Sequence, residues 1–180
     1  MPPSKITQVI PPLHDRDRIQ GSQSATLMLM EYGDYQCSRS GQAHRSIKAI
    51  QQQLGDRLCF VFRHFPQTQI HPQAQRAAES AEAAAAQGKF WEMHDLLYEH
   101  QQALDDGDLV AYAAQLQLDM PQFLREMAHH AHLDRIRTDI ESGRDNGVET
   151  TPTFFIGVRY EGTPNLEVLF MTLLEINCDR

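Results

Sequence analysis

Three cysteines are the residues of this chain whose chemistry most needs an account, and they are Cys37, Cys59 and Cys178. Three is an odd number and the spacing is wide, so no disulfide framework holds the fold together. Such sparse use of cysteine favours a reducing compartment, and we expect the protein to be cytoplasmic. The chemistry therefore depends on which of the three thiols is reactive.

Cys37 has the sequence surroundings of a reactive thiol. It follows the apolar run Ala25–Glu31 and the turn Tyr32–Gln36, and it opens a helix. Free backbone N–H groups and the positive end of the helix dipole stabilise an anion at such a position. They favour the thiolate, which is the nucleophilic form of cysteine, and Arg39 adds a positive charge. The alternative is a buried structural cysteine.

The other two cysteines have less favourable surroundings. Cys59 lies in the apolar stretch Leu58–Phe62, where a cysteine usually serves as a small core side chain. Cys178 lies near the end of the sequence, and we expect it on a frayed tail from which it could reach another molecule or, as a resolving thiol, Cys37.

The elements around Cys37 predict a parallel βαβ unit. Ala25–Glu31 and Leu58–Phe62 read as strands buried on both faces. Between them, apolar residues recur at helical spacing: Ala43, Ile47, Ile50 and Leu54. Upstream, Ile6–Ile10 reads as a short strand and His14–Ser24 as a loop.

The middle of the chain reads as helix throughout, from Pro66 to Ile140, with Asp108 as a candidate helix cap. A strand returns at Thr153–Val158, and Asn165–Asn177 reads as a closing helix. The pattern predicts an α/β protein in which residues 1–65 and 141–180 form one discontinuous sheet domain. Residues 66–140 form an inserted, all-helical domain.

Charge and hydropathy exclude several classes of partner. Sixteen Lys and Arg against 24 Asp and Glu make the net charge −8, and no strongly basic run occurs. We therefore expect neither a nucleic-acid partner nor an anionic membrane surface. The longest apolar runs are far shorter than a membrane span, and the first residues do not resemble a secretory signal.

The histidines do not predict a metal site. His129, His130 and His132 cluster, but they lack the i, i+4 spacing typical of a helical zinc site, so we expect a solvated helix face. His44 lies two helical turns from Cys37, too far to act as its base. Glu31 and Asp34 flank the site, and a buried carboxylate near the thiol could move protons, although Asp34 could equally be solvated at the surface.

Four segments resemble the DsbA-like thiol–disulfide oxidoreductases of the thioredoxin superfamily. They occur in the order of that family and span nearly the whole chain. The segments are Glu31-Tyr32-Gly33-Asp34-Tyr35-Gln36-Cys37, Phe62-Arg63-His64-Phe65-Pro66 with His71-Pro72-Gln73-Ala74, Lys89-Phe90-Trp91-Glu92-Met93-His94-Asp95-Leu96-Leu97, and Thr151-Pro152-Thr153-Phe154-Phe155-Ile156-Gly157.

The resemblance implies a thioredoxin-like fold with an inserted all-helical domain. It implies that Cys37 is catalytic and that the bond before Pro152 is cis, with the Thr151–Pro152 loop facing the sulfur. Backbone groups of that loop would then pair with a bound partner peptide. Four positions are assigned to substrate binding: Ser38, Arg39, Thr151 and Pro152.

One departure from the family pattern changes the expected chemistry. The family's active site is Cys-x-x-Cys, whereas this chain reads Cys37-Ser38-Arg39-Ser40. Ser40, assigned with Cys37 to the catalytic positions, stands where the resolving thiol would be, and a hydroxyl cannot form a disulfide. The loop also departs, because Glu149-Thr150 precedes Thr151-Pro152 where a glycine before the Thr-Pro pair is more usual.

Three functions remain open at this stage. The first is a monothiol oxidoreductase that acts through Cys37 on protein disulfides or glutathione mixed disulfides. It would use glutathione as a co-substrate and no bound cofactor. The second is a redox-inactive module that binds extended peptides. The third is a kappa-type glutathione transferase, although such enzymes carry serine at the position of Cys37. The sequence names neither the physiological substrate nor the oligomeric state.

Overall fold

The computed structural model describes residues 10–158, so the predictions at Asn165–Asn177 and Cys178 lie outside it. The strands and helices follow in chain order. They are β1 (Arg18–Gly21), β2 (Leu27–Gly33), α1 (Ser38–Leu54), β3 (Leu58–His64), α2 (Ala74–Ala85), α3 (Phe90–Glu99), α4 (Asp106–Gln115), α5 (Met120–Ala128), α6 (Leu133–Asp145) and β4 (Thr153–Val158). A single 3-10 turn, Gly55–Arg57, links α1 to β3.

The four strands form one sheet in the order β1-β3-β2-β4. Strands β2 and β3 are parallel, while β1 pairs antiparallel with β3 and β4 antiparallel with β2. All seven residues of β3 are buried, as its apolar sequence predicts for a strand covered on both faces. The predicted βαβ unit and the predicted strand Thr153–Val158 are confirmed.

Two predictions about the strands are wrong. The segment His14–Ser24, expected to be a loop, contains the edge strand β1. The polar residues of β1 resemble those of a loop, but an edge strand tolerates such residues. Arg18 of β1 forms an ion pair with the buried Glu82. Strand β2 also extends through Gly33 rather than ending before Tyr32. Of the predicted strand Ile6–Ile10, only Ile10 is described, and it lies outside any strand.

Helix α1 buries a more polar face than its pattern predicts. Ile47 is buried as expected, but Ile50 is only partly buried. The other buried members of the helix are Ser40, Gly41 and His44. His44 tolerates this position because its ring stacks on Tyr98 of α3, with ring centroids 4.9 Å apart.

The described residues between β3 and β4 form five helices and no strand, in agreement with the helical pattern. The helical stretch continues to Asp145, five residues past the predicted end at Ile140. Helix α4 is capped by Asp105 rather than Asp108, because the two side chains form a reciprocal capping box. The boundaries of the two proposed domains remain a prediction.

Two hydrophobic clusters cover opposite faces of the sheet. Phe60 and Phe62 of β3 point toward the helices and join a cluster that includes Tyr35 and the alanine face of α2. Cys59 and Val61 point to the other face. Cys59 is fully buried, which confirms its assignment as a core side chain. The first cluster packs the sheet and the helices against each other and, through Tyr35, includes the turn that leads to Cys37.

Candidate functional site

Cys37 is the residue immediately before α1. Its backbone is extended (φ −74°, ψ 118°) and its side chain makes no capping hydrogen bond. The backbone N–H of Cys37 donates to the Asp34 carbonyl at 3.1 Å, which closes the turn after β2. The thiol therefore occupies the predicted position after a buried strand and at the N-terminus of a helix, where an anion is stabilised.

The loop before β4 lies against this thiol. The Cys37 Sγ atom is 3.3 Å from the Thr151 carbonyl oxygen, to which it donates a hydrogen bond. The Thr151–Pro152 peptide bond is cis. Residues 114 positions apart in the sequence thus form one site. Both Cys37 and Thr151 are nearly inaccessible to solvent, at 6% and 5% exposure.

The remaining predicted site residues fall into two groups. Ser40 is fully buried one turn into α1, and its Oγ accepts a hydrogen bond from the Asp34 N–H at 3.4 Å. Ser38 and Arg39 are exposed on the outer side of the same turn. Their assignment to substrate binding, like that of Thr151 and Pro152, remains a prediction.

Asp34 is a buried side chain, not a solvated one, and its carboxylate contacts three other residues. Its Oδ1 accepts a hydrogen bond from the Gln36 N–H at 2.8 Å, and its Oδ2 accepts one from the Gln67 N–H at 2.9 Å. The same Oδ2 lies 2.7 Å from Nδ1 of His71. This carboxylate therefore joins the Cys37 turn to the loop that follows β3.

Gln67, in the loop after β3, connects to the cis-proline loop before β4. Its side-chain amide donates to the Glu149 carbonyl at 3.1 Å, and its Oε1 accepts from the Thr151 hydroxyl at 3.0 Å. Because its backbone N–H binds Asp34, Gln67 links the turn of Cys37 to the cis-proline loop. The position of the Thr151 carbonyl over the thiol depends on this chain of contacts.

Replacing Asp34 with alanine should destabilise the protein by about 2–4 kcal/mol, because buried N–H groups at Gln36 and Gln67 lose a charged acceptor. Urea unfolding of the variant measures the loss. The matched control is Asp15→Ala, which removes an exposed aspartate and should change stability by less than about 0.5 kcal/mol. Equal effects of the two substitutions would contradict the role assigned to Asp34.

Gln101 holds the Cys37 turn from the helical side. Its amide nitrogen donates to the carbonyls of Tyr35 and Cys37, both at 2.8 Å. The Gln101 side chain packs closely on Gly41, and a Cβ at that position would lie 2.0 Å from Oε1 and would displace the amide. The sequence analysis missed Gln101, since nothing in the turn after α3 marks a residue that contacts α1.

Glu31 is a buried carboxyl group near the thiol. It is 1% exposed, and both of its oxygens lack a hydrogen-bond partner among residues 10–158. Its register partners on the neighbouring strands are Phe62 and Phe154, so two aromatic residues flank it in the sheet. Burial raises the pKa of Glu31 to about 8, and the charge of a Cys37 thiolate adds to the rise.

The histidine cluster predicted to be a solvated helix face is not on a helix. Helix α5 ends at Ala128, and the three histidines occupy the turn before α6. His130 lies 2.7 Å from a carboxylate oxygen of Glu79, and His132 lies 2.8 Å from one of Glu126. Of these three histidines, only His129 is exposed and forms no ion pair with another described residue.

A protein-family model described as thioredoxin matches residues 14–173, which is most of the chain. The chain belongs to the thioredoxin family. Within this family, Cys37 lies where the DsbA-like resemblance expects the active-site cysteine, and the helical insertion matches DsbA-like structures.

Solved structures show that this thioredoxin-family chain has a DsbA-like fold. An alpha-DsbA1 variant of Wolbachia pipientis aligns with a TM-score of 0.73 and 20% identity, covering 94% of this chain and 92% of that one. Oxidised BdbD of Bacillus subtilis aligns with a TM-score of 0.70 and 18% identity, covering 89% and 92%. At these identities the likeness concerns the fold.

Curated relatives are more similar in sequence but much longer. Na(+)/H(+) antiporter NhaA 1 of Salinispora arenicola is 41% identical over 165 residues, which are 91% of this chain and 25% of that protein. Na(+)/H(+) antiporter NhaA 1 of Mycobacterium sp. strain KMS is 41% identical over 163 residues, or 89% and 27%. This thioredoxin-family chain spans about a quarter of the relatives it matches. No helix in the described part of the chain has the length and apolar character needed to cross a membrane.

Proposed function

We propose that this protein carries out thiol–disulfide exchange through Cys37 alone. The observation that carries the proposal is the arrangement of three groups at the N-terminus of α1. The Cys37 Sγ lies under the cis-proline loop, 3.3 Å from the Thr151 carbonyl, and the buried residue one turn on is Ser40. The site thus holds one nucleophilic sulfur and no second thiol at the expected spacing.

The proposed cycle has two exchange steps. The Cys37 thiolate attacks one sulfur of a mixed disulfide, such as a glutathione–protein disulfide, and the protein thiolate leaves. An outside thiolate, such as that of glutathione, then attacks the Cys37 adduct and releases the enzyme thiolate together with a new disulfide. Electrons balance, because the disulfide broken in the substrate is replaced by the disulfide released.

The surroundings of the sulfur support proton transfer in this cycle. The departing thiolate needs a proton, and Glu31, with its pKa raised to about 8, is protonated at neutral pH. No fixed hydrogen bond of the described chain holds the carboxyl group in place. It therefore remains available to give up a proton and take it back as the charge on Cys37 changes.

A groove beside the site supports a peptide partner. It encloses about 690 Å³ between the loop after β3 and helix α6. Ile70, at 66% exposure, contributes apolar surface, while Gln67 and Glu149 connect the groove to the cis-proline loop. We infer that a partner peptide lies along this groove with its disulfide at Cys37. Because the cycle consumes a reduced small thiol, we propose a reducing compartment, the cytoplasm, as its place of action.

Treatment with oxidised glutathione tests the proposed function. We expect one glutathione on Cys37, detected by intact mass and located by peptide mapping. Cys37→Ser should abolish the adduct, whereas Cys178→Ser, the matched control, should retain it. An adduct on Cys178 with Cys37 unmodified would overturn the proposal and favour the redox-inactive, peptide-binding module.

A second candidate function follows from the relatives, whose names identify them as Na(+)/H(+) antiporters and of which this region is about a quarter. We propose that the chain also serves as a binding module for such an antiporter. The test is binding of the labelled chain to vesicles that hold an antiporter without its own thioredoxin-like region, against empty vesicles. Binding that persists in Cys37→Ser supports a module; equal signal on empty vesicles would contradict it.

A further inference from the structure

A second cluster of reactive side chains lies between α1 and α3, about two helical turns from Cys37. It consists of His44, His94 and Asp95. One ring nitrogen of each histidine and one carboxylate oxygen lie within 4.8 Å of one another. His44 Nε2 is 3.5 Å from Asp95 Oδ1, close to the separation of about 3.4 Å between neighbouring ligands of a tetrahedral zinc ion.

The rings are held by contacts outside the cluster. The Tyr35 hydroxyl lies 3.0 Å from Nδ1 of His94, which leaves Nε2 as the nitrogen able to bind a metal. The His44 ring stacks on Tyr98 and meets His94 edge to face at 5.2 Å. Such contacts fix ring orientation, as the second shell of a metal site does.

Both imidazoles are buried, with His94 2% exposed and His44 6% exposed. A metal ion binds the free lone pair of a neutral ring. Asp95, partly exposed, supplies the negative charge and a route from solvent.

We propose that His44, His94 and Asp95 bind one zinc ion, with water or an outside ligand in the fourth position. Two imidazoles and one carboxylate form a ligand set typical of open zinc sites. The sequence analysis expected no metal, because the cluster joins an i, i+1 pair on α3 to a residue 50 positions upstream. That spacing matches no local motif, and only the packing of the two helices assembles it.

Positive charges in the same region oppose the ion and set its affinity. Lys48 Nζ is 2.6 Å from Asp95 Oδ2, and Arg45 is the residue that follows His44 on α1. Lys48 binds the carboxylate oxygen that does not face His44, and its side chain is 38% exposed, so it can swing outward. Removing Lys48 should therefore tighten zinc binding without touching a ligand.

Binding here would join the helical insertion to the proposed active site. Helix α1 begins next to Cys37, and α3 leads directly to Gln101, which donates to the Cys37 carbonyl. A zinc ion between the two helices would restrain both partners of that hydrogen bond. The inference concerns a site separate from the thiol, and it stands whether or not Cys37 turns over.

Cobalt(II) titration of the full metal-free chain carrying Cys37→Ser and Cys178→Ser provides the test. We expect a visible d–d band that saturates at one equivalent, lacks thiolate charge transfer and is displaced by Zn²⁺. Asp95→Asn and His44→Gln should weaken binding at least about tenfold. His129→Ala, which removes an exposed histidine, should not change it, and Lys48→Met should strengthen it by about threefold or more.

A thermal shift gives an independent readout. Zn²⁺ should raise the melting temperature of the parent chain and of His129→Ala, but not that of Asp95→Asn, because only a bound ion stabilises the native state. Circular dichroism verifies that each variant is folded. The proposal is overturned if no band forms at one equivalent, or if the band survives unchanged in folded Asp95→Asn.

Discussion

Replacing Ser40 with cysteine should shorten the lifetime of the Cys37–glutathione adduct at least about tenfold. A thiol on the same molecule, held one turn away, has a high effective concentration compared with a thiol in solution. In the parent protein, release must wait for an outside thiol. The lifetime of the parent adduct should therefore fall as free glutathione is added, whereas that of Ser40→Cys should be nearly independent of it.

The structure favours this substitution because residue 40 sits at the right place and is already enclosed. Ser40 is fully buried, and its Oγ points to the turn before Cys37, where it accepts a hydrogen bond from the Asp34 N–H. Sulfur can replace the hydroxyl there if the two sulfurs reach disulfide geometry. Ser40→Cys should also gain measurable dithiol oxidation, which the single-cysteine site lacks.

Ser38→Cys is the matched control. It adds the same group to the same turn, but in an exposed position directly beside Cys37, where a disulfide between neighbours is strained. Stopped reactions followed by intact mass give both lifetimes. If Ser40→Cys and Ser38→Cys hold the adduct equally long, residue 40 does not occupy a resolving position and the monothiol interpretation of the site is wrong.

Glu31→Gln should stabilise the protein at alkaline pH by a few kcal/mol and should remove much of its pH dependence between pH 5 and 9. In the folded state the pKa of Glu31 is about 8, above the 4.5 of an ordinary glutamate. Between these values the folded chain holds a proton that the unfolded chain has lost. Stability therefore falls as pH rises through this window.

The glutamine variant cannot ionise, so it lacks this loss. Urea unfolding of both proteins at pH 5 and pH 9 measures the difference. Cys37→Ser should retain most of the slope, because burial between Phe62 and Phe154 is the larger cause and the thiolate charge the smaller. The exposed Glu141→Gln is the control. A parent protein that loses no stability relative to Glu31→Gln between the two pH values would show that Glu31 titrates normally.

The sequence alone determined the elements whose signals are local. Strands β2 and β3 are apolar runs, and α1 follows a cysteine after a turn, so their types and order are legible from neighbouring residues. The cysteine and the Thr151–Pro152 loop were also predicted to meet, since the resemblance covers both segments. Strand β1 was missed because its polar residues resemble a loop and its pairing with β3 is not local.

Only the tertiary structure decided how the side chains around Cys37 are partnered. Asp34 and Glu31 are both acidic and three residues apart. The Asp34 carboxylate is held by backbone N–H groups, whereas that of Glu31, between two phenylalanines, has no hydrogen-bond partner in the part of the chain that the structure describes. The burial of each carboxylate depends on which strand or loop lies opposite it, and those segments are more than 30 residues away in the sequence. Gln101 and the pair His44–His94 were likewise identified only from the structure. Their roles come from helix packing, which no spacing within one segment encodes.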